Sequence, residues 1–267
     1  MSAMQFVTIH DITLHYKREG LAEGVPLVFI HSLGCDLRIW DGVVPPLAPY
    51  VGVIRYDKRG HGLSDVSPAP YAMRDLAADI EGLLNHLNIE SAILVGLSVG
   101  GLTAMQFALN YPHRLKALIL CDTAAKIGTA ESWGERIHAI RARGMKRMAR
   151  IILPRWFAPD FAERYPALYR GFYTMLTRMP VDGYLAACAA LAAADLRGEV
   201  SMISVPALVL CGALDTASPP DMVRGLADAL PEAHFELIEG AGHTIPVEQP
   251  EATAAAILRF LKEQKYV

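Results

Sequence analysis

A serine framed by glycines, Gly96-Leu97-Ser98-Val99-Gly100, stands between the apolar run Ala92-Ile93-Leu94-Val95 and a helical pattern running from Gly101 to Ala108. A strand that turns directly into a helix at a G-x-S-x-G sequence holds its serine on a strained turn with the hydroxyl outward. Gly96 and Gly100 have no Cβ to obstruct the backbone on either side. The pattern asks for a sheet whose strand feeds a covering helix, and it nominates Ser98 as a nucleophile.

The flanking sequence supplies such a sheet. Residues 6–10 and 12–16 flank Asp11 and read as an antiparallel edge hairpin, after which 27–30 and 51–56 are buried strands. Leu76, Ile80, Leu83, Leu84 and Leu87 fall on one helical face before the strand that leads to Ser98. Residues 115–121, 205–210 and 235–238 supply later strands. The class is α/β, with a mostly parallel, doubly wound sheet. Right-handed crossovers then place the loops after Ile30, Tyr56, Val95, Cys121 and Cys211 on one functional rim.

Between the strands at 115–121 and 205–210 the rhythm changes. Residues 126–200 are rich in arginine and alanine, are broken by Pro154, Pro159, Pro166 and Pro180, and contain no strand of the preceding kind. They read as a helical cap inserted across the rim, leaving 1–125 and 201–267 as the core. The cap carries a net charge of +5 and the remainder −8, within a whole-chain −3. A basic cap can attract an anionic substrate, and it is also readable as a solvated helix surface.

Composition sets bounds on the rest. A chain of 267 residues, 52% hydrophobic and 20% charged, can bury a substantial core. The small net charge gives no general footprint for nucleic acid or an anionic membrane. Residues 1–6 lack a basic start followed by an apolar stretch, and no apolar run reaches spanning length, so a cytoplasmic protein is expected. Cys35, Cys121, Cys188 and Cys211 show no CxxC spacing and read as reduced, buried thiols, with no metal site.

A nucleophilic serine needs a base. His243 sits in Gly240-Ala241-Gly242-His243, where glycines let a loop swing an imidazole toward the rim. Asp215 follows the strand ending at Cys211 and gives the chain order Ser98, Asp215, His243 associated with this elbow. Asp122, at the end of the strand after the elbow helix, is the rival acid. His31 and His61 compete for the base; the turn-rich loop around His61 reads as structural, bracing the rim. The backbone N–H of Val99 and one from His31-Ser32-Leu33-Gly34, taken as that of Leu33, would form the oxyanion hole.

Together, His31-Ser32-Leu33-Gly34, the stretch from Arg55 to Ser64, Gly96 to Gly101 and Gly240 to His243 resemble the α/β-hydrolase superfamily from end to end. Residues 32–40, 120–128 and 183–190 are similar to the 3-oxoadipate enol-lactonases within it. Lys58 departs from many relatives, which have another residue before Arg59. The resemblance implies an α/β-hydrolase fold and hydrolysis of 3-oxoadipate enol-lactone to 3-oxoadipate in aromatic-compound degradation. A serine acyl-enzyme would form, with no cofactor and no metal. The substrate keeps a free carboxylate, so the expected partner is a small anionic lactone. Trp133 and Arg136, three apart on an expected helix, would present an aromatic wall and a cation to it; they are also readable as a packing tryptophan and a solvated arginine. A carboxylesterase or perhydrolase would use the same three residues. A non-catalytic receptor of this fold would bind a small lactone without turning it over.

Overall fold

The computed structural model describes residues 4–267; the leader reading draws on residues 1–3, which lie outside the described residues. Among the described residues eight strands form one sheet. They are β1 (Gln5–Ile9), β2 (Ile12–Gly20), β3 (Leu27–Ile30), β4 (Gly52–Tyr56), β5 (Ala92–Leu97), β6 (Leu115–Cys121), β7 (Ala207–Gly212) and β8 (Ala233–Ile238). Their order across the sheet is β1-β2-β4-β3-β5-β6-β7-β8. The hairpin β1–β2 is antiparallel, as is β2 against β4, and β4 through β8 run parallel. Of the hairpin only β1 is an edge strand, because β2 runs on to Gly20 and pairs with β4; β8 is the opposite edge.

The central parallel strands β3, β5 and β7 carry unbroken apolar runs because helices cover both faces. Every residue of β3, β5 and β7 is buried. Truncating one of their large side chains, Leu94→Ala for instance, should cost about 2–5 kcal/mol. The helices before β6 are α1 (Val44–Leu47), α2 (Met73–His86) and α3 (Val99–Asn110). α2 buries Leu76, Ile80, Leu83 and Leu84, and Leu87 follows just past its end.

Five helices stand between β6 and β7, with no strand among them in the described residues: α4 (Ala130–Arg143), α5 (Met145–Ile152), α6 (Phe161–Arg164), α7 (Pro166–Arg178) and α8 (Val181–Ala193). Pro166 opens α7 and Pro180 immediately precedes α8, positions where a missing N–H costs nothing. The chain closes with α9 (Pro220–Ala229), α10 (Ile245–Glu248) and α11 (Pro250–Glu263). All four cysteines are free and buried. No helix of the described residues is long and apolar enough to cross a membrane. Parallel strands bring their carboxyl ends to one edge of the sheet, and the functional groups gather there.

Candidate active site

Ser98 stands between β5 and α3 with φ 56° and ψ −117°, a backbone region that costs a non-glycine residue energy. Hydrogen bonds hold it there: its N–H donates to Cys121 O at 2.9 Å, and its carbonyl accepts from the Thr123 hydroxyl at 2.7 Å. A Cβ on Gly100 would collide with the Ile30 carbonyl, so only glycine lets the start of α3 approach the end of β3 this closely.

His243 Nδ1 lies 2.8 Å from Asp215 Oδ2, and both residues are buried. The other carboxylate oxygen of Asp215 accepts the N–H groups of Ala217 (2.7 Å) and Ser218 (3.0 Å), which fixes its orientation. With its proton held on Nδ1, the imidazole keeps a lone pair on Nε2. Gly212 is required beneath this loop, since a Cβ there would strike the carbonyls of Ala241 and Gly242. Glu248 accepts from Gly242 N–H at 2.7 Å and from Ala158 N–H at 2.5 Å, tying the His243 loop to the helical segment.

Asp122 takes a different part. Its Oδ1 accepts the Gly212 N–H at 2.8 Å, clamping the tips of β6 and β7 together. Burial first, and then the charge of Asp215, hold its carboxyl well above the usual carboxylate range. No hydrogen bond joins it to His243 among the described residues. The His–Asp distance alone does not select a site, for His15 and Asp57 form a second buried pair at 2.8 Å. What sets His243 apart is the cavity it shares with Ser98.

That cavity has a volume of about 270 Å³. Ser32, Leu33, Ser98 and His243 line it from the strand ends. Val99 is the first residue of α3, so the helix itself cannot satisfy its N–H. Neither the Val99 nor the Leu33 N–H has a protein acceptor among the described residues. The loop after β4 stays behind the cavity wall: His61 is fully buried and contacts the carbonyl of Arg59 through Nδ1 at 3.1 Å.

The helical segment forms the opposite wall. Trp133 and Arg136 both line the cavity from α4, and the Arg136 guanidinium stands 4.9 Å from the Trp133 ring centre. Trp133 is fixed by donating from Nε1 to Ile127 O at 2.6 Å. Arg136 has no carboxylate partner among the described residues, whereas Lys126, Arg164 and Arg197 of the same segment each have one. Sequence reasoning missed Arg155, Trp156, Tyr184 and Ser218, which also line the cavity. The hydroxyls of Tyr184 and Ser218 are buried without a partner. Tyr184 falls inside a stretch already singled out by its likeness to a family, and that was the available signal. Nothing in the local sequence distinguishes the other three.

Residues 25–250 match the alpha/beta hydrolase fold family. The chain is similar to 3-oxoadipate enol-lactonase 2 of Acinetobacter baylyi, 36% identical over 256 residues that cover 96% of each chain. It is 33% identical to 3-oxoadipate enol-lactonase 1 of the same organism, over 94% of this chain and 93% of that one. Among solved structures, the enol-lactonase from Burkholderia xenovorans superposes with a TM-score of 0.93 at 36% identity, over 97% of this chain and all of that one.

Proposed function

Because the chain belongs to the alpha/beta hydrolase fold family and is a hydrolase, we propose that it opens 3-oxoadipate enol-lactone to 3-oxoadipate in the degradation of aromatic compounds. The observation that carries this reading is the convergence on one cavity of Ser98, the His243–Asp215 pair and an unpaired Arg136 on the facing wall. Similarity to enol-lactonases supports hydrolysis of an enol-lactone; the anion-ready wall supports one with a free carboxylate.

In this reading Ser98 Oγ attacks the lactone carbonyl while His243 Nε2 takes its proton, and Asp215 holds the imidazole tautomer and stabilises the imidazolium. The N–H groups of Leu33 and Val99 receive the oxyanion of the tetrahedral intermediate. Collapse breaks the ring C–O bond, leaving an acyl group on Ser98 and expelling an enolate, which is reprotonated. A water activated by His243 then releases the acid. The leaving enolate is stabilised by resonance, so ring opening is easier than loss of an alkoxide and deacylation is the slower half. Residues 126–200 act as the cap, with Arg136 gripping the carboxylate beside the face of Trp133. We place the reaction in the cytoplasm, where four free buried thiols are stable.

The test is a spectrophotometric panel comparing the acidic enol-lactone, its neutral ester and simple aryl esters. A clear preference in kcat/KM for the acidic lactone is expected. Equal rates across the panel would make the protein a general carboxylesterase, and binding without steady-state turnover would make it a receptor.

A further inference from the structure

Lys58 is 1% exposed and does not line the cavity. A lysine is almost never buried so fully without partners that need it. Its amine contacts three groups of the loop that follows β3: the carbonyl of His31, the carbonyl of Ser32 at 3.2 Å and Nδ1 of His31 at 2.9 Å. Its backbone N–H donates to Nε2 of the same imidazole at 3.0 Å.

That last bond assigns the tautomer. Nε2 must offer a lone pair, so the ring proton sits on Nδ1, which faces both Ser32 O at 2.8 Å and the amine. A neutral amine has two N–H donors and one lone pair. The two carbonyls take the donors, and the lone pair receives Nδ1–H. An ammonium would turn a third N–H against that proton. Burial favours the neutral amine and pushes Lys58 down to about 7, while the charges of Cys35 and Asp57 pull it back up. Burial is the main cause that keeps His31 well below its ordinary range and His61, whose ring lies 5.2 Å from that of His31, at about 3.

The loop held in this way is the one that carries Leu33. In a trans peptide the carbonyl and the N–H point in opposite directions. Ser32 O, gripped from behind by Lys58 and His31, shares its peptide with Leu33 N–H, and Leu33 lines the cavity. A hydrogen bond to that carbonyl also polarises the peptide and makes its N–H a stronger donor.

We propose that Lys58 is a positioning residue for the oxyanion hole: from behind the cavity wall its amine holds the His31 and Ser32 carbonyls so that Leu33 N–H is aimed and polarised toward the reacting oxygen. The inference rests on the reading of Leu33 and Val99 as oxyanion donors. It accounts for the buried polar cluster that the chemistry at Ser98 does not itself touch.

The experiment compares wild type with Lys58→Met, which keeps the stem and removes every N–H, and Lys58→Gln, which keeps two. Hydrolysis of p-nitrophenyl acetate gives kcat and KM, and labelling of Ser98 by an aryl phosphonate is followed by intact-protein mass spectrometry. Neither readout depends on the lactone being the natural substrate. Lys58→Met should lower kcat and the labelling rate by about 10- to 100-fold, with KM within about twofold, and Lys58→Gln should recover part of the loss. Unchanged kcat and labelling, or a defect confined to KM, would overturn the proposal. Failure of the phosphonate to label wild type at Ser98 would instead overturn the reading of the site. Should Lys58→Met not melt cooperatively, ¹⁵N-lysine NMR of wild type decides. Phosphonylation places a partly negative oxygen in the hole and should move the Lys58 titration upward by about half a unit or more; an unmoved midpoint would count against the assignment.

Discussion

The two walls of the cavity are built differently. On the sheet side, the groups sit on the loops that follow parallel strands, and Ser98 holds a backbone shape that few residues tolerate. Ser98 is held at positive φ, Gly100 and Gly212 allow contacts that a Cβ would block, and His243 and Asp215 are buried and doubly anchored. On the helical side, α4 and α8 present side chains from ordinary helical backbone, and the Arg136 guanidinium there, close to the Tyr184 hydroxyl, has no carboxylate partner among the described residues. A wall whose groups are pinned at strand ends by backbone hydrogen bonds suits bond-making, where small displacements cost rate. A wall with unsatisfied groups suits recognition, since those groups gain a partner only when ligand arrives. Changes on the sheet side should therefore act on kcat, and changes on the helical side on KM.

The largest effect belongs to the sheet side. Ser98→Ala should lower turnover by about a thousandfold or more while leaving the melting temperature and product binding close to wild type. Phosphonate labelling seen by mass spectrometry should vanish with it. Labelling that persists would move the nucleophile elsewhere and dissolve the contrast.

Next are the two buried carboxyl groups. Asp215→Asn should cut kcat by about a thousandfold, because the amide no longer fixes the tautomer or stabilises the imidazolium. Asp122→Asn should change kcat by about threefold or less, since an amide of the same shape still accepts the Gly212 N–H. Steady-state kinetics of the pair decide the matter; a greater loss from Asp122→Asn would transfer the acid role to it.

The helical wall gives smaller changes of another kind. Arg136→Met should raise KM for the acidic lactone by about 10-fold or more, with kcat nearly unchanged, and should leave the neutral ester within about twofold. A kcat defect shared by both substrates would show that the helical side takes part in bond-making. The smallest effect concerns the diffuse field of the +5 segment. Raising salt from about 0.02 to about 0.5 M should raise KM for the acidic lactone by about twofold and barely affect the ester. Equal salt responses would leave the charge asymmetry without a part in recognition.

The same contrast governs what could be read in advance. The elbow was legible because its backbone geometry demands particular residue types at fixed spacing, and the parallel strands because helices on both faces demand continuous apolar runs. Chain order alone pointed to Asp215 over Asp122; the distinction became physical only when the structure paired Asp215 with His243 and gave Asp122 to the Gly212 N–H. Trp133 and Arg136 could be placed together because three residues span nearly one helical turn. Arg155, Trp156 and Ser218 carry no such mark.

By itself, the sequence determined the strained serine, the strand and helix rhythm of the sheet and the basic helical insertion, since each follows from neighbours close along the chain. Tertiary structure alone decided which face of each inserted helix meets Ser98, which polar side chains stay unpaired in the cavity, and where Lys58 is buried. These depend on contacts between residues far apart in the chain, such as the amine of Lys58 against the His31 and Ser32 carbonyls. Local propensity and periodicity do not encode such contacts; close packing of the assembled layers creates them.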